Sequence, residues 1–282
     1  MRSDIQQLSE EMLLNILPVK GKNGRKLKKL FIAEGRKVCF ELLRSDYEIE
    51  CVIVNSREAN DLGMQDLLNQ FKKKNIAIYQ TSHKKFNNLC DAQTPQGIFA
   101  IVKMKNDDGI NNFGIDNFQI TVKNIQNKTK NTALFIALDN ISDPGNVGTI
   151  IRTAEWFGIE KILFIGECAN QYNPKVIRAS AGSIFRMQIV NLENSIDILD
   201  RFVGVNTDFD IYAASLDAKK FLHNIKPMKP FGLIVGNEAR GISEFLNEII
   251  TDKFLIAGAK KAESLNVGIA TGIALYHFCK FK

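Results

Sequence analysis

Short apolar runs alternate with segments of helical period along most of this chain. Residues 30–33 form an apolar, strand-like run, and the stretch opened by Gly35 sets Val38 and Leu42, with Leu43, on one helix face. Residues 51–54 and 76–79 read as strands, residues 65–74 as a helix between them, and residues 97–102 as a closing strand. This βαβα pattern predicts an α/β domain with a covered sheet. From residue 103 to 131 the pattern lapses into Asn, Lys, Asp and Gly, with one strand candidate at residues 118–122. Two readings are open there, a linker or elaborated hairpin between domains and a long surface loop within one; the linker is taken forward. Alternation then resumes, with strands at 134–138, 161–165, 210–214, 231–235 and 254–256, a helix at 147–157 and a terminal helix at 264–281. The expected organisation is an α/β domain over residues 1–102, a connection over 103–131 and a second α/β domain over 132–282.

Composition narrows the class. Of 282 residues, 45% are hydrophobic and 24% charged, which excludes a disordered chain or a collagen-like one. No apolar run approaches the roughly 18 residues of a membrane span, so no membrane partner is expected. The five cysteines (Cys39, Cys51, Cys90, Cys168, Cys279) are scattered and form no CxxC pair, which reads as reduced thiols. With Asp4, Glu10 and Glu11 near the start and no targeting pattern, the expected compartment is cytoplasmic. His83, His223 and His277 lie far apart, so neither a histidine-rich metal site nor a histidine-dependent triad is expected.

Charge changes the picture more. The net charge is +6, and eight basic residues with one acid, Glu34, fall between Lys20 and Lys37. Lys72–Lys74 and Lys84–Lys85 add two further clusters. A solvated face and a polyanion-binding face both remain open on this evidence.

Three segments of the second half carry candidate chemistry. In residues 138–158 a strand runs into a loop with Asn140, Asp143, Pro144, Gly145 and Asn146, which opens a helix. Ile150, Ala154 and Phe157 mark its buried stripe, and Arg152 lies about 200° round from Ile150, facing away. In residues 233–243 an apolar strand ends at Gly236, followed by Asn237 and Glu238. Gly236 and Gly241 mimic a phosphate loop, but Ile242 stands where Lys-Ser/Thr is required, so nucleotide triphosphate binding is rejected. No GxGxxG follows an early strand, so a plain dinucleotide site is unsupported. In residues 263–278, Ser264, Leu265 and Asn266 open a helix rich in small residues (Gly268, Ala270, Gly272, Ala274) that admits another backbone closely.

In this order and spacing the segments resemble the SpoU/TrmH family of SPOUT-class RNA 2′-O-ribose methyltransferases over residues 134–280. The resemblance rests on N-x-x-D-P-x-N-x-G-x-x-x-R at 140–152, N-P-K-x-x-R-x-S-x-G at 173–182, G-N-E-x-x-G at 236–241 and S-L-N-V at 264–267. The first hundred residues resemble the RNA substrate-binding domain of that family, through residues 31–41 and Thr94-Pro95-Gln96-Gly97.

The resemblance implies a parallel α/β/α sheet closed by a deep trefoil knot, with S-adenosylmethionine held in the knot loops. Carried over by position, Val235, Gly236, Ile256, Ser264 and Leu265 would hold that cofactor. Arg152 would clamp a phosphate and favour the developing alkoxide; Asn146, Glu238 and Asn266 would orient it and the ribose. No metal is implied. RNA contacts are expected from Arg25, Lys26, Lys28, Lys29, Arg36 and Arg178. The implied partner is ribosomal RNA first and transfer RNA second, with a homodimer packed through C-terminal helices. A catalytically inactive RNA-binding member is the alternative. Ala257 and Gly258 replace the usual Pro and Met, Gly268 replaces a usual Ser, and Lys260 stands where a Gly is usual.

Overall fold

The computed structural model describes residues 5–105, 132–192, 209–259 and 264–279. Its contacts divide the chain into two compact units, Met1–Lys105 with Asn170–Arg186, and Asn106–Ala169 with Met187–Lys282. The strand expected at 118–122 lies outside the described residues.

In the first unit the chain makes β1 (Gln6–Gln7), α1 (Glu10–Ile16), α2 (Lys22–Lys28), β2 (Leu30–Glu34), α3 (Arg36–Leu42), β3 (Ile49–Asn55), α4 (Leu62–Lys73), β4 (Ile78–Thr81), α5 (His83–Leu89) and β5 (Ile98–Lys103). The sheet order is β1-β4-β3-β5-β2. It is mixed: β3 pairs parallel with β4, whereas β5 is antiparallel to both β2 and β3. One face carries Ile32, Ile53, Phe99 and Ile101, packed with Ile16, Val19, Phe86 and Leu89 from the helical segments. The alternate positions Val52, Val54 and Ala100 are buried as well, so both faces are covered, as continuous apolar strands require.

α1, α2 and α5 were not anticipated. In α2 the sequence KNGRKLK shows no apolar face, and Gly24 reads as a breaker. The glycine is there for space: a Cβ on it would come 1.9 Å from the Pro18 carbonyl oxygen. α2 stops at Lys29, which takes the left-handed conformation with φ 52°.

The second unit contains β6 (Ala133–Asp139), α6 (Pro144–Trp156) and β7 (Lys161–Ile165). A short helix, α7 (Pro174–Ser180), lies in the segment assigned to the first unit. The second unit continues with β8 (Gln188–Leu192), β9 (Asp210–Ala214), β10 (Lys220–Phe221), β11 (Phe231–Gly236), β12 (Asp252–Leu255) and α8 (Val267–Phe278). The seven strands run β10-β12-β9-β11-β6-β7-β8, and every pair is parallel. Phe135, Ala137, Leu163, Ile165, Ile211, Ala213 and Ile234 build one core layer. Elsewhere in the unit Phe278 of α8 wedges among Tyr212, Phe231 and Phe254, with ring centroids 5.0, 5.2 and 5.4 Å away.

The terminal helix starts later than expected, because Asn266 is its N-cap, with its side-chain oxygen accepting from the Gly268 and Ile269 amides. Its small-residue face points into its own unit: a Cβ on Gly268 would meet Thr149 of α6 at 3.0 Å, and Thr271 and Ala274 are fully buried. The face left outside is apolar instead, formed by Ile269, Ile273 and Tyr276.

Gly232 shows how tightly β11 and β6 fit. A Cβ there would lie 2.2 Å from the Phe135 ring. We expect Gly232→Ala to destabilise the second unit by about 1–3 kcal/mol through overpacking, read as an earlier transition in chemical denaturation.

Candidate functional site

All seven strands of the second unit are parallel, so the loops after β6, β11 and β12 leave the same edge of the sheet. In open α/β sheets that carboxyl edge is where ligands bind. The loop after β6 is capped by Asp143, whose carboxylate accepts from the Asn146 amide at 2.8 Å, and Pro144 begins α6. This places Asn146 in the first turn with its side-chain amide directed outward. Its Nδ2 donates to Glu238 Oε1 at 2.5 Å, and its Oδ1 accepts from Asn266 Nδ2 at 2.8 Å. Asn146 thus joins the three segments that the sequence separates by 92 and 120 residues.

Arg152 is exposed, as its helical phase predicts, and has no hydrogen bond or ion pair among the described residues. No hydrogen bond joins it to the Asn146 cluster among the described residues. Four residues on, Trp156 is 84% exposed, so a cation and an indole share one outer face of α6.

Beneath the cluster lies a second layer that sequence reasoning missed. Asp139, fully buried at the end of β6, accepts from the Ser243 amide at 2.6 Å, the Ser243 hydroxyl at 2.9 Å and Asn140 Nδ2 at 2.7 Å. Asn140 holds φ 55°, and its carbonyl accepts from Asn237 Nδ2 at 2.9 Å. The available signal was a carboxylate closing an otherwise apolar central strand.

The residues assigned to S-adenosylmethionine are distributed over the same unit. Val235 is buried, Gly236 ends β11, Ile256 is half-buried just after β12, and Ser264 and Leu265 are exposed before α8. Two partly accessible aliphatic side chains on loops beside a polar cluster suit an adenosine with a charged tail. The space above the Gly236 Cα is filled by the loop's own backbone, with Gly241 O 2.3 Å from a built Cβ, so this glycine lets the loop fold back on itself.

Among the described residues no group of three or more His, Cys, Asp or Glu could hold a metal ion. Burial pushes the Cys168 and Cys279 thiols up to about 11 and that of Cys51 to about 12, so they stay protonated near neutral pH.

In the first unit the expected RNA contacts separate into two groups. Lys26 and Lys29 are exposed, Lys28 is half-buried and donates to Asn15 Oδ1 at 3.3 Å, and Arg36 pairs with Asp61 at 2.6 Å. Arg25 and Arg178 are engaged within the fold. Arg25 is 5% exposed and donates to the Lys20 carbonyl at 2.6 Å, its pKa lowered chiefly by burial. Arg178 reaches the buried carboxylate of Glu34 at 3.2 Å and Asp91 at 2.7 Å. Glu34 also accepts from the Asp91 and Ala92 amides. The second motif therefore has a folding role here. Asn173 caps α7, Arg178 ties it down, and Gly182, at φ 96°, leaves room for Glu41.

Fold and site define a parallel α/β enzyme with a polar cluster at its strand ends and an appended basic domain. The chain belongs to the SpoU rRNA Methylase family, which matches residues 133–276; residues 22–107 match the RNA 2′-O ribose methyltransferase substrate-binding domain. It is 28% identical over 251 residues to the 23S rRNA (guanosine(2553)-2′-O)-methyltransferase RlmP of Bacillus subtilis, covering 88% of this chain and 87% of that protein. A putative TrmH-family RNA methyltransferase of Porphyromonas gingivalis superposes with a TM-score of 0.74 at 26% identity, over 96% of this chain and 98% of that one. An AdoMet-bound rRNA methyltransferase of Sinorhizobium meliloti shares the fold, with a TM-score of 0.76 at 24% identity over 97% and 95% of the two chains.

Arg178→Ala should cost about 1–3 kcal/mol, because it strips a charged donor from a carboxylate that stays buried. Denaturant unfolding of the full chain should show an earlier midpoint with no RNA present.

Proposed function

We propose that this protein transfers the methyl group of S-adenosylmethionine to a ribose 2′-hydroxyl of ribosomal RNA, and does so as a homodimer. The observation that carries the reading is the hydrogen-bonded chain Glu238–Asn146–Asn266. It joins polar residues of three family motifs at one edge of the sheet. An inactive RNA-binding descendant would have no need to keep this chain intact.

Bound S-adenosylmethionine supplies a methyl group on a positively charged sulfur. Val235 and Gly236 at the end of β11, Ile256 after β12, and Ser264 and Leu265 before α8 hold it. Bound there, the cofactor would supply the methyl group for transfer to the ribose 2′-hydroxyl. Placement of the two reactants supplies much of the rate. Asn146 is fixed on both sides, by Glu238 and by Asn266, so its orientation is set before RNA arrives. Arg152 is exposed, and no acid among the described residues engages it, which suits a contact with a polyanion. Its guanidinium serves as a clamp on phosphate and ribose and as a field for the developing alkoxide. The first unit brings the RNA, with Lys26 and Lys29 outward on its basic stretch.

The homodimer is supported by the outer face of α8. Leu265, Ile269, Ile273 and Tyr276 are 46%, 55%, 39% and 78% exposed at helical spacing, and Trp156 adds a large indole on the neighbouring α6. An exposed apolar stripe of this kind marks an association surface. Because it starts beside Asn266 and includes the face of Arg152, the dimer contact and the reaction site adjoin.

Arg152→Ala should lower methyl transfer to ribosomal RNA about a hundredfold or more, the scale of losing one charge-stabilising donor. Its thermal midpoint should stay within the small range of a surface change. Arg152→Lys should recover little, since it keeps the charge and loses the planar fork. Near-normal turnover in Arg152→Ala would remove the residue from the mechanism. Sedimentation equilibrium should show a dimer for the wild type and a monomer for Ile269→Glu, with activity falling in step. A monomeric, fully active wild type would defeat the dimer reading.

A further inference from the structure

Asp139 stands out as a carboxylate with no exposed surface, and among the described residues its hydrogen-bond donors are all neutral. Such a charge is costly to bury, and packing alone would favour an apolar residue at the end of an apolar strand. What a carboxylate offers is acceptor capacity, and here it is used by two loops at once. Oδ2 takes the Ser243 amide at 2.6 Å; Oδ1 takes the Ser243 hydroxyl at 2.9 Å and Asn140 Nδ2 at 2.7 Å.

The other end of the same loop is tied to the same place. Asn237 Nδ2 donates to the Asn140 carbonyl at 2.9 Å. Residues 236–243 therefore leave and return to one pair of neighbours, Asp139 and Asn140. Within that closed span Asn237 Oδ1 accepts from the Ala239 and Arg240 amides at 2.9 and 3.1 Å, and its carbonyl accepts from the Gly241 amide at 2.9 Å. Glu238 sits in the middle of the span with its backbone direction fixed on both sides. It is the residue that meets Asn146.

We propose that Asp139 and Ser243 are a positioning pair: their hydrogen bonds hold the Glu238 loop in register with the Asn146 loop. Among the described residues neither hydrogen-bonds to Asn146 or Arg152, so both act through Glu238. The proposal rests on the methyltransferase reading for its effect on turnover, but its structural half can be read without activity.

The test uses the full-length chain labelled with ¹⁵N, following the Asn146 side-chain amide, assigned by its loss in Asn146→Asp. Glu238→Gln marks where that resonance lies when its carboxylate partner is replaced. Ser243→Ala removes the hydroxyl donor and should move the resonance toward that position. It should also lower kcat on ribosomal RNA by about tenfold to a hundredfold, the scale of a misplaced reacting group. Ser243→Thr keeps both donors and should behave as wild type in both readouts. In the Glu238→Gln background, Ser243→Ala should have little further effect on kcat, since positioning residues couple to the residue they position. If Ser243→Ala is poorly folded, Ser243→Cys, similar in shape with a weaker donor, gives the same comparison. An Asn146 resonance that does not move, or kcat losses from Ser243→Ala and Glu238→Gln that simply multiply, would overturn the proposal. A wild-type chain that transfers no methyl group would instead end the methyltransferase reading and leave the amide test standing.

Discussion

Parallel strands deliver their carboxyl ends to one edge, and in the second unit that constraint governs everything else. The loops after β6, β11 and β12 have no other side on which to emerge. Backbone groups leaving a sheet must find partners, and side chains supply them here: Asp139 for Ser243, Asn140 for Glu167, Asn237 for its own loop. Gly166 is part of the same economy of space. It has φ 64°, and a Cβ on it would strike the Asn140 side chain at 2.5 Å. The polar groups that face outward are thus mounted on loops whose freedom has already been removed, which is what precise placement of a reacting group requires.

The first unit is built on a different compromise. Its most buried acid, Glu34, closes β2 and collects two backbone amides and one guanidinium. That guanidinium belongs to Arg178, in a segment remote in sequence. The same segment brings Tyr172, whose ring stacks on Phe31 at 4.7 Å, and Phe185, whose ring meets Tyr47 at 5.4 Å. A motif of Asn, Pro, Lys, Arg, Ser and Gly looks like chemistry in a sequence. In the structure its arginine, serine and glycine are used for closure, ion pairing and close approach.

Most strands were legible as apolar runs, and nine matched within a residue or two at both ends: residues 30–33, 51–54, 76–79, 97–102, 134–138, 161–165, 210–214, 231–235 and 254–256. β8 was not, because as an edge strand it is buried at alternate positions only, and β1 and β10 are two residues each. The helices that escaped notice are seven residues long and owe their place to packing, as Gly24 against Pro18 shows. At the site, the resemblance named Asn146, Glu238 and Asn266, residues no periodicity could have joined and which the structure links by hydrogen bonds. Burial was the hidden variable elsewhere. Nothing in the letters KNGRKLKK says that Arg25 turns inward while Lys26 turns out, since that depends on which side of a short helix meets the Pro18 turn.

The terminal helix ties these levels together. Its inner face is small or flat enough to lie against Thr149 and Thr153 of α6, which sets α8 at a fixed height. Phe278 then locks its far end into an aromatic cluster with Tyr212, Phe231 and Phe254. With both ends held, the N-cap Asn266 has one position, and from it the side chain caps the helix with its oxygen while its Nδ2 holds Asn146. A single amide therefore serves the helix and the site together, and a change that loosens the Phe278 wedge would reach Asn146 through the length of the helix. Among the described residues nothing covers Ile269 or Tyr276 on the outer face of α8. The helix that fixes the site from within thus also sets an exposed apolar stripe beside it.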